Sequence, residues 1–148
     1  MQALVIIDMQ SEFNSAHDAK TKRSIINQIK KAKSDNIPIV NVSYTGCGDT
    51  IGAIKKHLDN YHLVGHTKKN MDNGSRGVQY VIKKFEQTLG EKIEHLIITG
   101  VNTEACVLDT CRGLVKKFKL TVIKSGCNSS YYHEFGIERL KGIGANIK

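Results

Sequence analysis

Hydrophobic positions along this chain alternate between two rhythms. Ala3 to Met9 (ALVIIDM) is an apolar run broken only at Asp8, the pattern of a strand buried on both faces of a sheet. A polar loop follows, and TKRSIINQIKKAKSDN (Thr21–Asn36) then spaces Ile25, Ile26, Ile29 and Ala32 as one helical face. The single proline, Pro38, opens a second strand, IVNVSY. TIGAIKKHLDN predicts a short helix and YHLVGHT a weaker third strand. RGVQYVIKKFEQTLG (Arg76–Gly90) puts Val78, Val81, Ile82, Phe85 and Leu89 on one stripe and stops at a glycine. HLIITGV predicts a fourth strand, TEACVLDTCRGLVKKF a helix, KLTVIKS a fifth strand and YYHEFGIERLKGIG a last helix. ANIK at the end fits a terminal strand stub.

Strands alternating with helices predict a mostly parallel sheet of five to six strands, covered by helices on both faces. No linker, low-complexity segment or internal repeat divides the 148 residues, so residues 1–148 are expected to form a single domain. In such sheets chemistry gathers beyond the carboxyl ends of the strands. Three polar features fall there: Asp8 after strand one, HTKK (His66–Lys69) after strand three, and Cys106 just past strand four.

Composition narrows the classes of function. Hydrophobic residues make up 40% and charged residues 24%, as in ordinary globular proteins. No apolar run reaches the roughly 20 residues of a membrane span, and the N-terminus lacks the basic start of a secretory signal, so a cytoplasmic location is expected. Cys47, Cys106, Cys111 and Cys127 match no zinc spacing and read as reduced thiols. The formal net charge is +8, but its lysines are scattered over helix faces and no nucleic-acid-binding module is present. A solvated basic surface is the expectation, with no specific nucleic-acid partner and no membrane partner.

Two readings compete for Cys106. A small thiol packs well in a core helix and stays inert there. A thiol in the first turn of a helix can instead be activated as a nucleophile when a base and a cation stand nearby. Asp8 and a lysine at the neighbouring strand ends would supply both.

Three stretches carry a family resemblance: ALVIIDMQSEF, ITGVNTEACVLDTC and VIKSGCNSS. They resemble the isochorismatase-like cysteine hydrolases, the superfamily that includes nicotinamidases and N-carbamoylsarcosine amidase. The resemblance implies a three-layer, Rossmann-like α/β fold with strand order 3-2-1-4-5-6. It implies Asp8 as general base, Cys106 as nucleophile and a lysine as third member, with Lys68 the better match and Lys69 the runner-up. It further implies a cis peptide bond between Val101 and Asn102, an oxyanion hole from the Asn102 and Cys106 N–H groups, and Phe13 lining the substrate pocket. Gln10 reads as a loop brace. The family's Ser-Ala-Phe after the lysine is replaced here by KNMDNGS.

Nicotinamidases carry an Asp-x-His metal site after the second strand, where this chain reads NVSYTGCGDTIG. His57, His62 and His66 fall near a strand, where their spacing does not converge on one ion. No metal and no cofactor are expected. The expected activity is hydrolysis of a small amide or carbamoyl-type substrate through a Cys106 thioester. Two alternatives stand beside it: vinyl-ether hydrolysis of the isochorismatase type, and a catalytically silent binding or regulatory protein on the same fold. A homo-oligomer, a dimer or larger, is expected, because so short a chain has few residues left to wall in a pocket. Tyr131, Tyr132 and Phe135 cluster as interface-type aromatics.

Overall fold

The computed structural model describes all residues, 1–148. Six strands form one all-parallel sheet: β1 (Gln2–Ile7), β2 (Ile39–Tyr44), β3 (Val64–Lys69), β4 (His95–Val101), β5 (Lys119–Asn128) and β6 (Asn146–Ile147). Their order across the sheet is β3-β2-β1-β4-β5-β6, so the order reverses between β1 and β4. The helices are α1 (Ala19–Ser34), α2 (Gly52–Leu58), α3 (Ser75–Leu89), α4 (Leu108–Leu114) and α5 (His133–Gly142). A 3-10 turn (Asn14–His17) precedes α1, and a π-helical turn (Thr103–Val107) runs straight into α4. No helix is long and apolar enough to cross a membrane.

The sheet divides the core in two because strand side chains alternate between faces. Leu4 and Ile6 meet Ile25, Ile29 and Ala32 of α1 and Ile54 and Leu58 of α2. Ala3, Val5 and Ile7 meet Val78, Val81 and Ile82 of α3, with Leu108, Cys111 and Leu114 of α4 and Ile137 and Leu140 of α5. Helix ends follow local chemistry. Asp18 caps α1 by accepting the Thr21 N–H at 2.9 Å and the Thr21 hydroxyl at 2.8 Å. Gly90 ends α3 with φ +68°, its N–H donating to the Glu86 carbonyl at 2.9 Å.

Gly100, at the end of β4, has φ +128°, and a Cβ there would lie 2.1 Å from the Ile7 carbonyl oxygen. Only glycine lets β4 run this close to β1 at the point where the strand order reverses. Three element boundaries differ from the sequence reading. β3 runs from Val64 to Lys69 rather than from Tyr61 to Thr67, because the Tyr61 hydroxyl reaches back to the Ile37 carbonyl at 2.9 Å and holds residue 61 outside the strand. The helix after β4 starts as a π turn and ends at Leu114, and β5 continues to Asn128.

Candidate active site

Asp8 sits one residue past β1 in the left-handed region, φ +53°, with its N–H donating to the Val42 carbonyl at 3.0 Å. That backbone turn swings the carboxylate off the strand and under the loops, where it is 0% exposed. The lysine beside it is Lys69, not Lys68: Lys69 Nζ lies 2.9 Å from Asp8 Oδ2, and Lys69 is 7% exposed. The reason is strand parity. Thr67 and Lys69 point to the α3 side of β3, and Lys68 points the other way, into solvent and a cleft with His66, Asn41 and Lys55. Lys69 Nζ also donates to the Met71 carbonyl at 3.0 Å and stands 4.0 Å from the centre of the Tyr44 ring.

Cys106 lies in the π turn after β4, 5% exposed. Burial is the main reason its pKa is raised, and the Asp8 carboxylate adds to the rise while Lys69 opposes it. Asp8 in turn is raised above the ordinary carboxylate value by burial, against the pull of Lys69 and of the Cys106 thiol. Neither carboxylate oxygen of Asp8 has a directed hydrogen bond, although the Lys69 ammonium is in ion-pair contact. The three groups form one coupled acid–base unit, and at rest the thiol is held protonated beside a carboxylate able to take its proton.

The Val101–Asn102 peptide bond is cis. Asn102 is fixed by its side chain, whose Oδ1 accepts the Ser15 hydroxyl, and Asn128 Nδ2 donates to the Ser15 carbonyl at 3.2 Å. Gln10 braces the loops with three bonds: its Nε2 donates to the Tyr44 and Gly48 carbonyls at 2.9 and 2.8 Å, and its Oε1 accepts the Tyr44 N–H at 2.7 Å. Phe13 packs half-buried against the α1/α2 cluster that includes Met9 and Val101.

One residue at the site went unread in the sequence. Asp72, on the loop between β3 and α3, accepts the Cys106 thiol at 3.7 Å with its Oδ1. Its only signal was that KNMDNGS departs from the resembled pattern, and an Asp between Met and Asn reads otherwise as a turn residue. The other buried thiols stand apart from these groups. Burial pushes Cys127 up to about 12 and raises Cys111 as well, as expected of core cysteines. No group of three or more His, Cys, Asp or Glu side chains is arranged to hold a metal ion.

An all-parallel α/β sheet with an Asp, Lys and Cys gathered at its switch point defines a class of Rossmann-like proteins, and comparison with known proteins narrows it. Residues 80–147 match the Isochorismatase domain family. The nicotinamidase of Staphylococcus aureus superposes with a TM-score of 0.81 at 19% identity, covering 99% of this chain and 98% of that one. The MAR1 ribonuclease of Caenorhabditis elegans gives 0.81 at 22% identity, covering 98% of this chain and 74% of that one. The YcaC product of Escherichia coli, described as an octameric hydrolase of unknown specificity, gives 0.78 at 17% identity over 99% and 74%. No curated protein sequence matches the chain. The chain shares its fold with these solved hydrolases, and residues 80–147 are similar to the Isochorismatase domain.

Proposed function

We propose that residues 1–148 act as one cysteine hydrolase unit on a small amide or carbamoyl-type substrate, with Cys106 as nucleophile, Asp8 as general base and Lys69 as their cation. The observation that carries the reading is the buried Lys69–Asp8 pair at 2.9 Å, coupled to the Cys106 thiol. Asp8 takes the thiol proton as sulfur adds to the substrate carbonyl, and the oxyanion rests on the N–H groups of Asn102 and Cys106. Collapse breaks the C–N bond, and Asp8 returns its proton to the leaving nitrogen. Water then gives a proton to Asp8 and attacks the thioester, and the acid leaves as the thiol is restored.

Burial suits Asp8 to this work, because a carboxylate with a raised pKa is a stronger base. Phe13 fits a wall of the pocket near the entry to α1. The same reading has the protein act in the cytoplasm, without metal or cofactor, as a homo-oligomer of two or more chains. The oligomer is supported by the exposure of Tyr131 (88%), Tyr132 and Phe135, which leaves an aromatic patch uncovered on one chain. The test is ammonia release across a library of small amides and ureas, with Cys106→Ala and Asp8→Asn as controls. At least one substrate should be turned over, and both variants should lose turnover, with Cys106→Ala keeping its unfolding temperature near wild type. Near-wild-type hydrolysis by Cys106→Ala would remove the thioester mechanism.

A further inference from the structure

The thiol of Cys106 has a carboxylate on each side. Asp8 is fully buried beneath it, and Asp72 lies on the exposed loop that faces the solvent side of the site. The Lys69 ammonium spends its contacts on Asp8, the Met71 carbonyl and the Tyr44 ring and forms no ion pair with Asp72. Two carboxylates and one ammonium therefore surround the thiol, a local excess of acid inside a protein whose formal net charge is +8. Lys68 and Arg76, together with Lys69, line an open cleft of about 700 Å³ whose walls include neither Cys106 nor Asp72, and neither Lys68 nor Arg76 forms an ion pair with either acid. The field of Asp72 reaches the buried site, since Asp72 is one of the groups that raise Asp8.

We propose that Asp72 is a specificity-determining residue, selecting substrates that bring a cationic or N–H-rich group against the thiol and turning away those that bring a carboxylate there. This rests on the reading of Cys106 as the nucleophile. An N–H donor or a cation next to the reacting carbonyl finds an acceptor in Asp72 Oδ1, and an anion at the same place meets like charge at close range. The long-range field of the basic surface draws anions in, and the last few ångströms set the opposite preference.

Three alkylating probes test the idea with the chemistry held constant: iodoacetamide (neutral), iodoacetate (anionic) and N-(2-aminoethyl)iodoacetamide (cationic). Each forms one S–C bond and releases iodide, so only charge near the sulfur differs in kind. Rates at Cys106 are read by site-resolved mass spectrometry and divided by rates on N-acetylcysteine amide. In the wild-type protein iodoacetate should be disfavoured against iodoacetamide on the order of tenfold, and the cationic probe favoured. Asp72→Asn should collapse both ratios towards those of the free thiol, whereas Asp35→Asn, a remote loss of the same charge, should leave them alone. Using ratios cancels any change that Asp72→Asn makes in the thiolate fraction. Ratios unchanged by Asp72→Asn would overturn the proposal while leaving the nucleophile intact. If Cys106 reacts with no probe while Cys47 does, the nucleophile itself is refuted, and the role of Asp72 with it.

Discussion

Replacing Lys69 by methionine removes a buried cation while keeping most of the volume of its stem, so the loss can be worked from the ion pair. The ammonium is 2.9 Å from a carboxylate that is 0% exposed, and Asp8 has no directed hydrogen bond with which to make up for it. Removing one partner of a buried pair costs about 3–5 kcal/mol, mostly because the other charge is stranded. Asp8 has an escape, which is to bind a proton. For a carboxyl with an ordinary pKa of 3.8, protonation at pH 7 costs about 4 kcal/mol, and this caps the loss. Lys69→Met should therefore lose up to about 4 kcal/mol at pH 7, and less to the extent that burial already raises Asp8 in the wild type.

The sign with pH follows from linkage. In the variant Asp8 is raised further above its unfolded value, so the folded state binds more protons than the unfolded state over that interval. The deficit should be small up to the raised Asp8 value of the wild type and should grow by up to about 1.4 kcal/mol per pH unit above it, levelling off once Asp8 ionises in the folded variant. Urea unfolding of wild type, Lys69→Met and Lys68→Ala at pH 4.5, 6, 7 and 8 measures it. Lys68→Ala, on the exposed face of β3, should stay within about 0.5 kcal/mol of wild type throughout. A Lys69→Met deficit independent of pH, or an equal loss in Lys68→Ala, would refute the assignment of the buried cation.

The acid limb of the pH–rate profile should fall at a higher pH than an ordinary carboxylate gives, because Asp8 must be ionised to act as base and burial raises it; a limb at the usual carboxylate value would count against Asp8 as the base. Gly74→Ala places a methyl 2.9 Å from Lys69 Cδ and 3.2 Å from Val42 Cγ1. It should cost about 1–3 kcal/mol in urea unfolding and cut turnover by a larger factor than Lys68→Ala does. Chelator treatment should leave turnover unchanged, and stoichiometric zinc or iron in untagged protein would contradict the metal-free mechanism.

Much of this fold was legible because period and punctuation agreed. The apolar runs of β1 and β4, the stripe of α3 and the glycine at its end all pointed to the same elements the structure holds. The placement of Asp8 and Cys106 just past the ends of β1 and β4 was legible for the same reason. What the sequence hid was parity. VGHTKK carries no alternation of apolar and polar residues to say which face of β3 meets the core, so the resemblance favoured Lys68 over Lys69. The face is set by packing at a distance: a Cβ at Gly65 would meet Val81 at 2.4 Å, and one at Gly77 would meet Thr67 at 2.2 Å, so odd-numbered positions turn towards α3. Asp72 was hidden differently, since its partner is 34 residues away across a loop whose residue types signal only a turn.

The strand order explains why the cation paired with Asp8 is a lysine at the end of an edge strand. Asp8 and Cys106 come from β1 and β4, which are neighbours, so short side chains can meet across the switch point. On the other side β2 intervenes, and β3 lies two strand spacings from β1, about 10 Å. Only a long side chain spans that gap, and its charged end must be held on the way. Tyr44, the last residue of β2 and the register partner of Lys69, supplies the platform, with its ring 4.0 Å from the ammonium. Gln10 fixes the Tyr44 backbone by two hydrogen bonds and ties it to the Gly48 carbonyl by a third, so the platform is braced from the loop that follows Asp8 itself. The flat ring takes the cation on its face and leaves the carboxylate of Asp8 as the single anion in direct ion-pair contact with it. In the proposed mechanism that contact keeps Asp8 ionised despite its burial, which is the condition for it to act as a base on Cys106.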